Sequence, residues 1–128
     1  MSKEHPVVLL VDDEQDILNI YVPKLTEAGY EVVTAMNGSE AIALAKEKLP
    51  DLILMDVKMP VMDGVDAAIR LKEDPATRDL KIVFITAFSD PTKPEIDAKF
   101  AKELGALDFI TKGLSLDEFI VKVAQFLK

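Results

Sequence analysis

Five short apolar runs alternate with five segments of helical periodicity, and this alternation constrains the fold more than any other feature of the sequence. The apolar runs predict strands at residues 7–11, 31–35, 52–55, 82–86 and 108–110. The segments that follow them predict helices at about 14–28, 37–49, 64–73, 92–105 and 115–127. Strands that alternate with helices of roughly ten to fifteen residues form right-handed βαβ units around a parallel sheet. We therefore expect a three-layer α/β sandwich, with a five-stranded parallel sheet and five helices, in a single domain over residues 1–128.

Several predicted helix ends carry residues that cap the free main-chain groups of a first or last turn. Asn37 and Ser115, each with a glutamate three residues later, predict capping boxes. Asp63 and Thr92 predict two further helix starts, and Gly29 predicts the end of the first helix.

Helical spacing also predicts which side chains face the core, because apolar residues three and four positions apart lie on one face of a helix. In the second helix the inward positions are Ala41, Ile42, Ala45 and Leu49. In the last helix the apolar stripe consists of Leu116, Phe119, Ile120, Val123 and Leu127. We expect these side chains to pack against the sheet.

Polar side chains stand at the ends of four of the predicted strands. Asp12 and Asp13 follow the first strand, Asp56 follows the third, Thr86 ends the fourth, and Lys112 comes just after the fifth. The carboxyl ends of parallel strands meet at one edge of the sheet, which is where open α/β sheets bind ligands. We therefore expect these five side chains to share one crevice.

The three carboxylates of this set would repel one another in a shared crevice. At an effective dielectric near 20, each close pair costs on the order of 4 kcal/mol, and one carboxyl would keep its proton through a raised pKa. A hard divalent cation relieves the repulsion, and Mg²⁺ prefers carboxylates, a carbonyl, waters and a phosphate oxygen as ligands. The sequence therefore predicts a Mg²⁺ site among the aspartates.

The other two members of the set supply hydrogen-bond donors. The Lys112 ammonium and the Thr86 hydroxyl suit the equatorial oxygens of a phosphoryl group, whose transfer is catalysed mainly by positioning and charge neutralisation. An aspartate can itself be the covalent acceptor in such chemistry. We predict that Asp56 is a nucleophile that accepts a phosphoryl group.

Taken singly, each of these residues has a simpler interpretation. Asp12 and Asp13 are typical helix caps, Asp56 is typical of a turn, Thr86 is an ordinary strand residue and Lys112 is by default a solvated lysine. The interpretation as a site depends on four strands that deliver complementary groups at corresponding ends.

Composition excludes several other classes of protein. A formal net charge of −8 over 128 residues argues against direct binding of duplex nucleic acid, which needs clustered basic residues. The chain has no cysteine, which excludes disulfides and thiolate metal sites and fits a reducing compartment. The longest apolar runs span about five residues, whereas a membrane helix needs about twenty. We expect a cytoplasmic protein that does not insert into membranes.

Four segments, VVLLVDDE, LILMDVKMPVMDG, IVFITA and GALDFITK, make the chain similar nearly end to end to the receiver domain of two-component response regulators. The resemblance implies a flavodoxin-like fold with strand order 2-1-3-4-5. It also implies that Asp56 accepts a phosphoryl group from a phosphohistidine on a sensor histidine kinase or histidine phosphotransfer protein. In that family the acidic pair corresponding to Asp12 and Asp13 holds Mg²⁺, together with Asp56 and the main-chain carbonyl of Lys58.

The same resemblance implies a conformational switch. Thr86 matches the hydroxyl that moves toward the phosphoryl group, and Lys112 matches the lysine that pairs with it. Phe109 matches the aromatic residue that turns inward when the hydroxyl moves. The surface formed by the fourth helix, fifth strand and fifth helix would then change and alter the binding of an output protein.

The chain departs from the family pattern near two of these residues. Lys112 is followed by Gly113, where the family usually has a proline after a cis peptide bond. A cis bond before a residue other than proline costs about 2.5–4 kcal/mol, so we expect a trans peptide and a differently shaped loop. Phe88 and Lys58 lie two positions after Thr86 and Asp56, and Phe88 is expected to shield the phosphoryl group from water.

Three alternatives remain beside the phosphoryl-accepting regulator, which is not itself an enzyme. One is a receiver-like scaffold that takes no phosphate. A phosphatase of the haloacid dehalogenase type needs a second carboxylate two residues after its nucleophile, where this chain has Lys58. A nucleotide or flavin binder is disfavoured because neither a G-x-x-x-x-G-K-[ST] nor a G-x-G-x-x-G sequence is present. No output domain follows Lys128, so the chain is either a stand-alone regulator, which we expect, or a domain cut from a longer protein.

Overall fold

The computed structural model describes residues 5–57, 59, 61–86 and 98–128, over which five strands alternate with five helices. The strands are β1 (Val7–Val11), β2 (Glu31–Ala35), β3 (Leu52–Asp56), β4 (Ile82–Thr86) and β5 (Asp108–Thr111). The helices are α1 (Gln15–Glu27), α2 (Gly38–Lys48), α3 (Gly64–Glu73), α4 (Ala98–Glu103) and α5 (Leu116–Phe126). The predicted alternation is confirmed, while the fourth helix start predicted at Thr92 lies outside the described residues. Within the described part of the chain, no helix has the length and apolar character that crossing a membrane requires.

All five strands run parallel in one sheet, in the order β2-β1-β3-β4-β5. β3 is central and all five of its residues are buried, as expected for a strand covered on both faces. In the register Val11 pairs with Met55 and Thr86 pairs with Thr111, so the carboxyl ends of four strands lie side by side. This topology confirms the flavodoxin-like fold that the sequence resemblance implied.

The sheet separates two apolar cores, because successive side chains of a strand point to opposite faces. On one face Leu9, Ile53 and Phe84 pack with buried residues of α2, α3 and α4. On the other face Leu10 and Leu54 pack with buried residues of α1 and α5. The helices therefore form a layer on each side of the sheet, as the pattern predicted.

An aromatic pair joins the two helices of the second face. The rings of Tyr21 in α1 and Phe119 in α5 stack with their centroids 4.3 Å apart and an angle of 12° between their planes. Both side chains are buried. Such a pair contributes about 0.5–1.5 kcal/mol beyond its buried area, so it helps to fix α1 against α5.

Three of the predicted helix starts are capped by side chains. Asn37, Asp63 and Ser115 accept hydrogen bonds from main-chain N–H groups three residues later, at 2.9, 2.9 and 3.2 Å. Gly29 follows α1 in the left-handed region, with φ of 101°, and ends the helix as its position predicted.

Two side chains predicted to face the core are exposed instead. Leu49 is 51% exposed, because it is the C-cap of α2 and adopts a left-handed conformation that takes its side chain off the inward face. Leu116 is 36% exposed, because it is the first residue of α5 and the buried part of that helix begins one turn later, at Phe119. The predictions for Leu49 and Leu116 were therefore wrong.

Candidate functional site

The sheet register brings the predicted site residues to one edge. Asp12 follows β1, where its N–H donates to Ala35 O at 3.0 Å, and Asp56 is the last residue of β3 rather than the first after it. Thr86 ends β4, and the Lys112 N–H donates to its carbonyl oxygen at 2.9 Å. Main-chain hydrogen bonds therefore determine which of these side chains are neighbours.

Four carboxylates gather at this edge. Asp12, Asp13, Glu14 and Asp56 each offer an oxygen that lies within 4.8 Å of the oxygens of the others. Asp12 and Asp56 are buried, Asp13 is half-buried and Glu14 is exposed. The structure thus brings together the three predicted aspartates and adds Glu14, which the sequence analysis missed. Its position directly after Asp13 is the only signal in the sequence that pointed to it.

The Lys112 ammonium lies among these carboxylates. Its nitrogen is 3.0 Å from Glu14 Oε1, 3.1 Å from Asp12 Oδ2 and 3.4 Å from Asp56 Oδ1. The lysine side chain is only 12% exposed. Lys112 is therefore a half-buried cation that partly neutralises the four carboxylates around it.

Burial and charge shift the pKa values of the crevice in a consistent way. Burial, followed by the charge of Asp12, raises the pKa of Asp56 to about 7, although Lys112 opposes the shift. Burial likewise raises the pKa of Asp12. Burial alone would lower the pKa of Lys112, but its close contacts with the carboxylates of Glu14 and Asp12 and the charge of Asp56 outweigh this and raise it. Without a bound cation, Asp56 therefore exchanges its proton near neutral pH rather than near pH 4.

The donor set of the crevice fits a hard divalent cation. Asp12 Oδ1 accepts a hydrogen bond from the Glu14 N–H at 2.9 Å. Asp12 Oδ2 is fully buried and, despite its 3.1 Å distance from Lys112, has no well-aligned hydrogen bond. A buried carboxylate oxygen without a hydrogen bond, next to further carboxylates, is the kind of ligand that Mg²⁺ takes. Lys58, whose carbonyl was the predicted further ligand, lies outside the described residues.

A close contact between the β3–α3 loop and the strand holds Asp56 in place. The Gly64 N–H donates to Val57 O at 2.8 Å. A Cβ atom on Gly64 would overlap the main-chain carbonyl oxygen of Asp56 and come within 3.0 Å of Met55 Cγ. Only glycine therefore allows α3 to begin this close to the end of β3.

Thr86 and Phe109 occupy one face of the sheet. Phe84 pairs with Phe109 in the register, and Thr86 lies two positions further along β4, so it points to the same side as Phe84. Thr86 is buried and Phe109 is half-buried against the core of α2, α3 and α4.

The peptide bond after Lys112 is trans, as the sequence predicted. Phe88 lies outside the described residues, so its shielding role stays a prediction.

Known proteins share this fold and much of this sequence. The profile of the response regulator receiver domain matches residues 8–124. The response regulator PleD of Caulobacter vibrioides is 45% identical over 105 residues, which cover 82% of this chain and 22% of PleD. The phosphate regulon regulator PhoB of Pseudomonas aeruginosa is 38% identical over 122 residues, or 94% of this chain and 51% of PhoB.

A solved structure extends the likeness to the whole fold. The chemotaxis response regulator CheY4 of Vibrio cholerae superposes with a TM-score of 0.83 at 30% identity, covering 95% of this chain and 98% of CheY4. The chain spans between about a fifth and a half of the length of PleD and PhoB.

Proposed function

The chain belongs to the response regulator receiver domain family, and from this premise we propose that it is a signalling switch with Asp56 as its phosphoryl acceptor. Members of this family are regulatory phosphoacceptor domains rather than classical enzymes. The observation that carries the proposal is the Lys112 ammonium, which lies 3.4 Å from Asp56 Oδ1 in a crevice of four carboxylates.

In the proposed reaction a carboxylate oxygen of Asp56 attacks the phosphorus of a phosphohistidine on a partner protein. The new O–P bond forms as the N–P bond breaks, and the electron pair of that bond stays on the imidazole of the donor. Lys112 donates hydrogen bonds to the transferred oxygens and balances their charge. The donor class follows from the family, whose members are phosphorylated by histidine kinases.

The proposed cofactor is Mg²⁺. Asp12, Asp13 and Asp56 would hold it, with the main-chain carbonyl of Lys58 as a further ligand. When bound, it would neutralise the carboxylates and the charge of the transferred oxygens. The buried oxygen of Asp12 that lacks a hydrogen bond supports this assignment.

The proposed output is a change of surface. Phosphorylation adds about 1.5–2 negative charges beside Asp56, and these attract the Thr86 hydroxyl. The movement of Thr86 leaves room for Phe109 to turn inward, which alters the surface of α4, β5 and α5. Phe100 and Leu107 are exposed apolar side chains of this region, and an output protein would bind there.

Intact mass measurement after incubation with acetyl phosphate and Mg²⁺ tests the acceptor. We expect the natural protein and Asp16→Asn, a variant of an exposed aspartate in α1, to gain one phosphoryl group. Asp56→Asn should gain none, because its amide is not a nucleophile for this reaction.

Other results would contradict the proposal in distinct ways. A natural protein that gains no phosphoryl group would indicate a scaffold. Gain by Asp56→Asn would place the acceptor elsewhere. Rapid turnover of unrelated phosphate esters would favour a phosphatase of the haloacid dehalogenase type.

A further inference from the structure

Glu14 contacts the proposed phosphoryl site in a way that the family roles assigned above do not use. It is the N-cap of α1, a position where a short polar side chain usually accepts a hydrogen bond from the first turn. The Glu14 side chain makes no such bond. Its Oε1 instead accepts a hydrogen bond from the Lys112 ammonium, 98 residues away, at 3.0 Å.

The three carboxylates around Lys112 are not equivalent partners. Asp12 and Asp56 are almost fully buried, whereas the Glu14 side chain is 58% exposed. Of the three contacts, the one to Glu14 is the shortest and is aligned as a side-chain hydrogen bond. Glu14 therefore draws the ammonium toward the solvent side of the crevice, away from Asp56.

A phosphoryl group on Asp56 would change this balance. It brings about 1.5–2 negative charges and several acceptor oxygens to within reach of the same ammonium. An ammonium has three donors, and each that turns to the phosphoryl oxygens is withdrawn from a carboxylate. Breaking the exposed contact to Glu14 costs less free energy than breaking either buried contact, because water can replace it on both partners.

We infer that Glu14 is a positioning residue that holds Lys112 in the unphosphorylated protein and competes for it with the phosphoryl group on Asp56. This inference rests on the proposed function. Glu14 would therefore destabilise the phosphorylated state. It would do so through its contact with Lys112 rather than through the bound cation.

Binding of beryllofluoride, a mimic of an aspartyl phosphate, tests the competition by ¹⁹F NMR at saturating Mg²⁺. We expect Glu14→Gln to tighten binding by about two- to fivefold, the range for loss of a half-exposed ion pair. Asp16→Asn is the matched control, because it removes the same charge from an exposed position two residues away. It should leave the affinity unchanged.

A second measurement tests the pairing without any metal. In EDTA, urea unfolding of Glu14→Gln, Lys112→Met and the double variant forms a thermodynamic cycle. We expect the double variant to differ from the sum of the single changes, because each single change removes the same contact. Additive effects would overturn the inference.

The remaining outcomes separate the inference from the proposed function. Unchanged or weaker beryllofluoride binding by Glu14→Gln, or equal tightening by Asp16→Asn, would overturn the inference alone. The inference would also be overturned if Glu14→Gln lost Mg²⁺ affinity tenfold but kept its beryllofluoride affinity at saturating Mg²⁺. That result would mean that Glu14 acts on the cation. A natural protein that binds no beryllofluoride would overturn both the inference and the proposed function.

Discussion

At the scale of the single residue, Asp56 is held in a place that disfavours its own ionisation. Its pKa is raised to about 7, above the value of about 3.9 expected in the unfolded chain. A carboxyl with a raised pKa stabilises the fold fully only below its unfolded pKa, and this contribution is lost as the pH rises through the folded pKa. The metal-free protein should therefore lose stability between about pH 4 and pH 7 on account of Asp56.

We predict that Asp56→Asn stabilises the metal-free protein at pH 8. The difference between the two pKa values corresponds to a gain of at most about 4 kcal/mol in the free energy of unfolding. The gain should disappear near pH 4, where the folded natural protein already carries a proton on Asp56. Urea unfolding in EDTA at the two pH values measures it, with Asp16→Asn as the control. An equal effect of Asp56→Asn at both pH values would contradict the explanation.

The sequence predicted some residues of the site but not Glu14, because only some of them are marked by a local feature of the sequence. Asp12, Asp56 and Thr86 could be found because an apolar run ends at each of them, and a strand end is a local feature of the sequence. The role of Glu14 depends on its distance to Lys112, which arises only after β1 and β5 have joined the same sheet. No local sequence pattern predicts the distance between Glu14 and Lys112.

At the scale of the elements, the close approach of α3 to β3 decides where Asp56 lies. Gly64 begins α3 directly against the main chain of Asp56, and its N–H bonds to Val57 O. The sequence predicted a helix start here from Asp63, but it did not reveal this contact. A glycine at the start of a helix is common and does not by itself indicate a close neighbour.

We predict that Gly64→Ala separates α3 from β3 and slows phosphorylation. The added methyl group would overlap the Asp56 carbonyl, so the loop must shift, at a cost of about 1–3 kcal/mol. Urea unfolding and the rate of phosphorylation by acetyl phosphate measure the two effects.

Gly29→Ala provides the control for Gly64→Ala. Gly29 also occupies a position that disfavours alanine, with φ of 101°, but an added Cβ there would meet no atom within 4 Å. This variant should lose stability and keep its phosphorylation rate. Equal rates for all three proteins would show that the contact does not position Asp56.

At the scale of the whole molecule, the parallel sheet collects charged groups from distant parts of the chain at one edge while its two faces are covered by helices. The number and type of elements followed from hydrophobic periodicity alone. The strand order did not, because the pattern within a strand does not specify its neighbours, and it came from the family resemblance. The errors at Leu49 and Leu116 arose at helix ends, where the periodic rule no longer describes which side faces the core.

We predict that Mg²⁺ stabilises the whole fold. A cation that binds the native carboxylate cluster and not the unfolded chain adds about 1.4 kcal/mol for each tenfold rise above its dissociation constant. The melting temperature at pH 8 should therefore increase with the logarithm of Mg²⁺ concentration, and Asp12→Asn should abolish most of the increase.

Sodium chloride at equal ionic strength is the control for the Mg²⁺ titration, because salt also screens the net charge of −8. An increase of the same size with sodium chloride would attribute the stabilisation to screening. A full increase in Asp12→Asn would mean that the cation binds at another place.

The 98 positions that separate Glu14 from Lys112 have a consequence for synthesis on the ribosome. A nascent chain presents its acidic cluster long before the lysine emerges from the exit tunnel. Until β5 pairs with β4, those carboxylates lack their contact with Lys112. Their mutual repulsion then destabilises the end of the sheet that bears them. Late docking of the last βα unit would then complete the charge balance, so that acceptor chemistry would begin only once nearly all of this domain has folded.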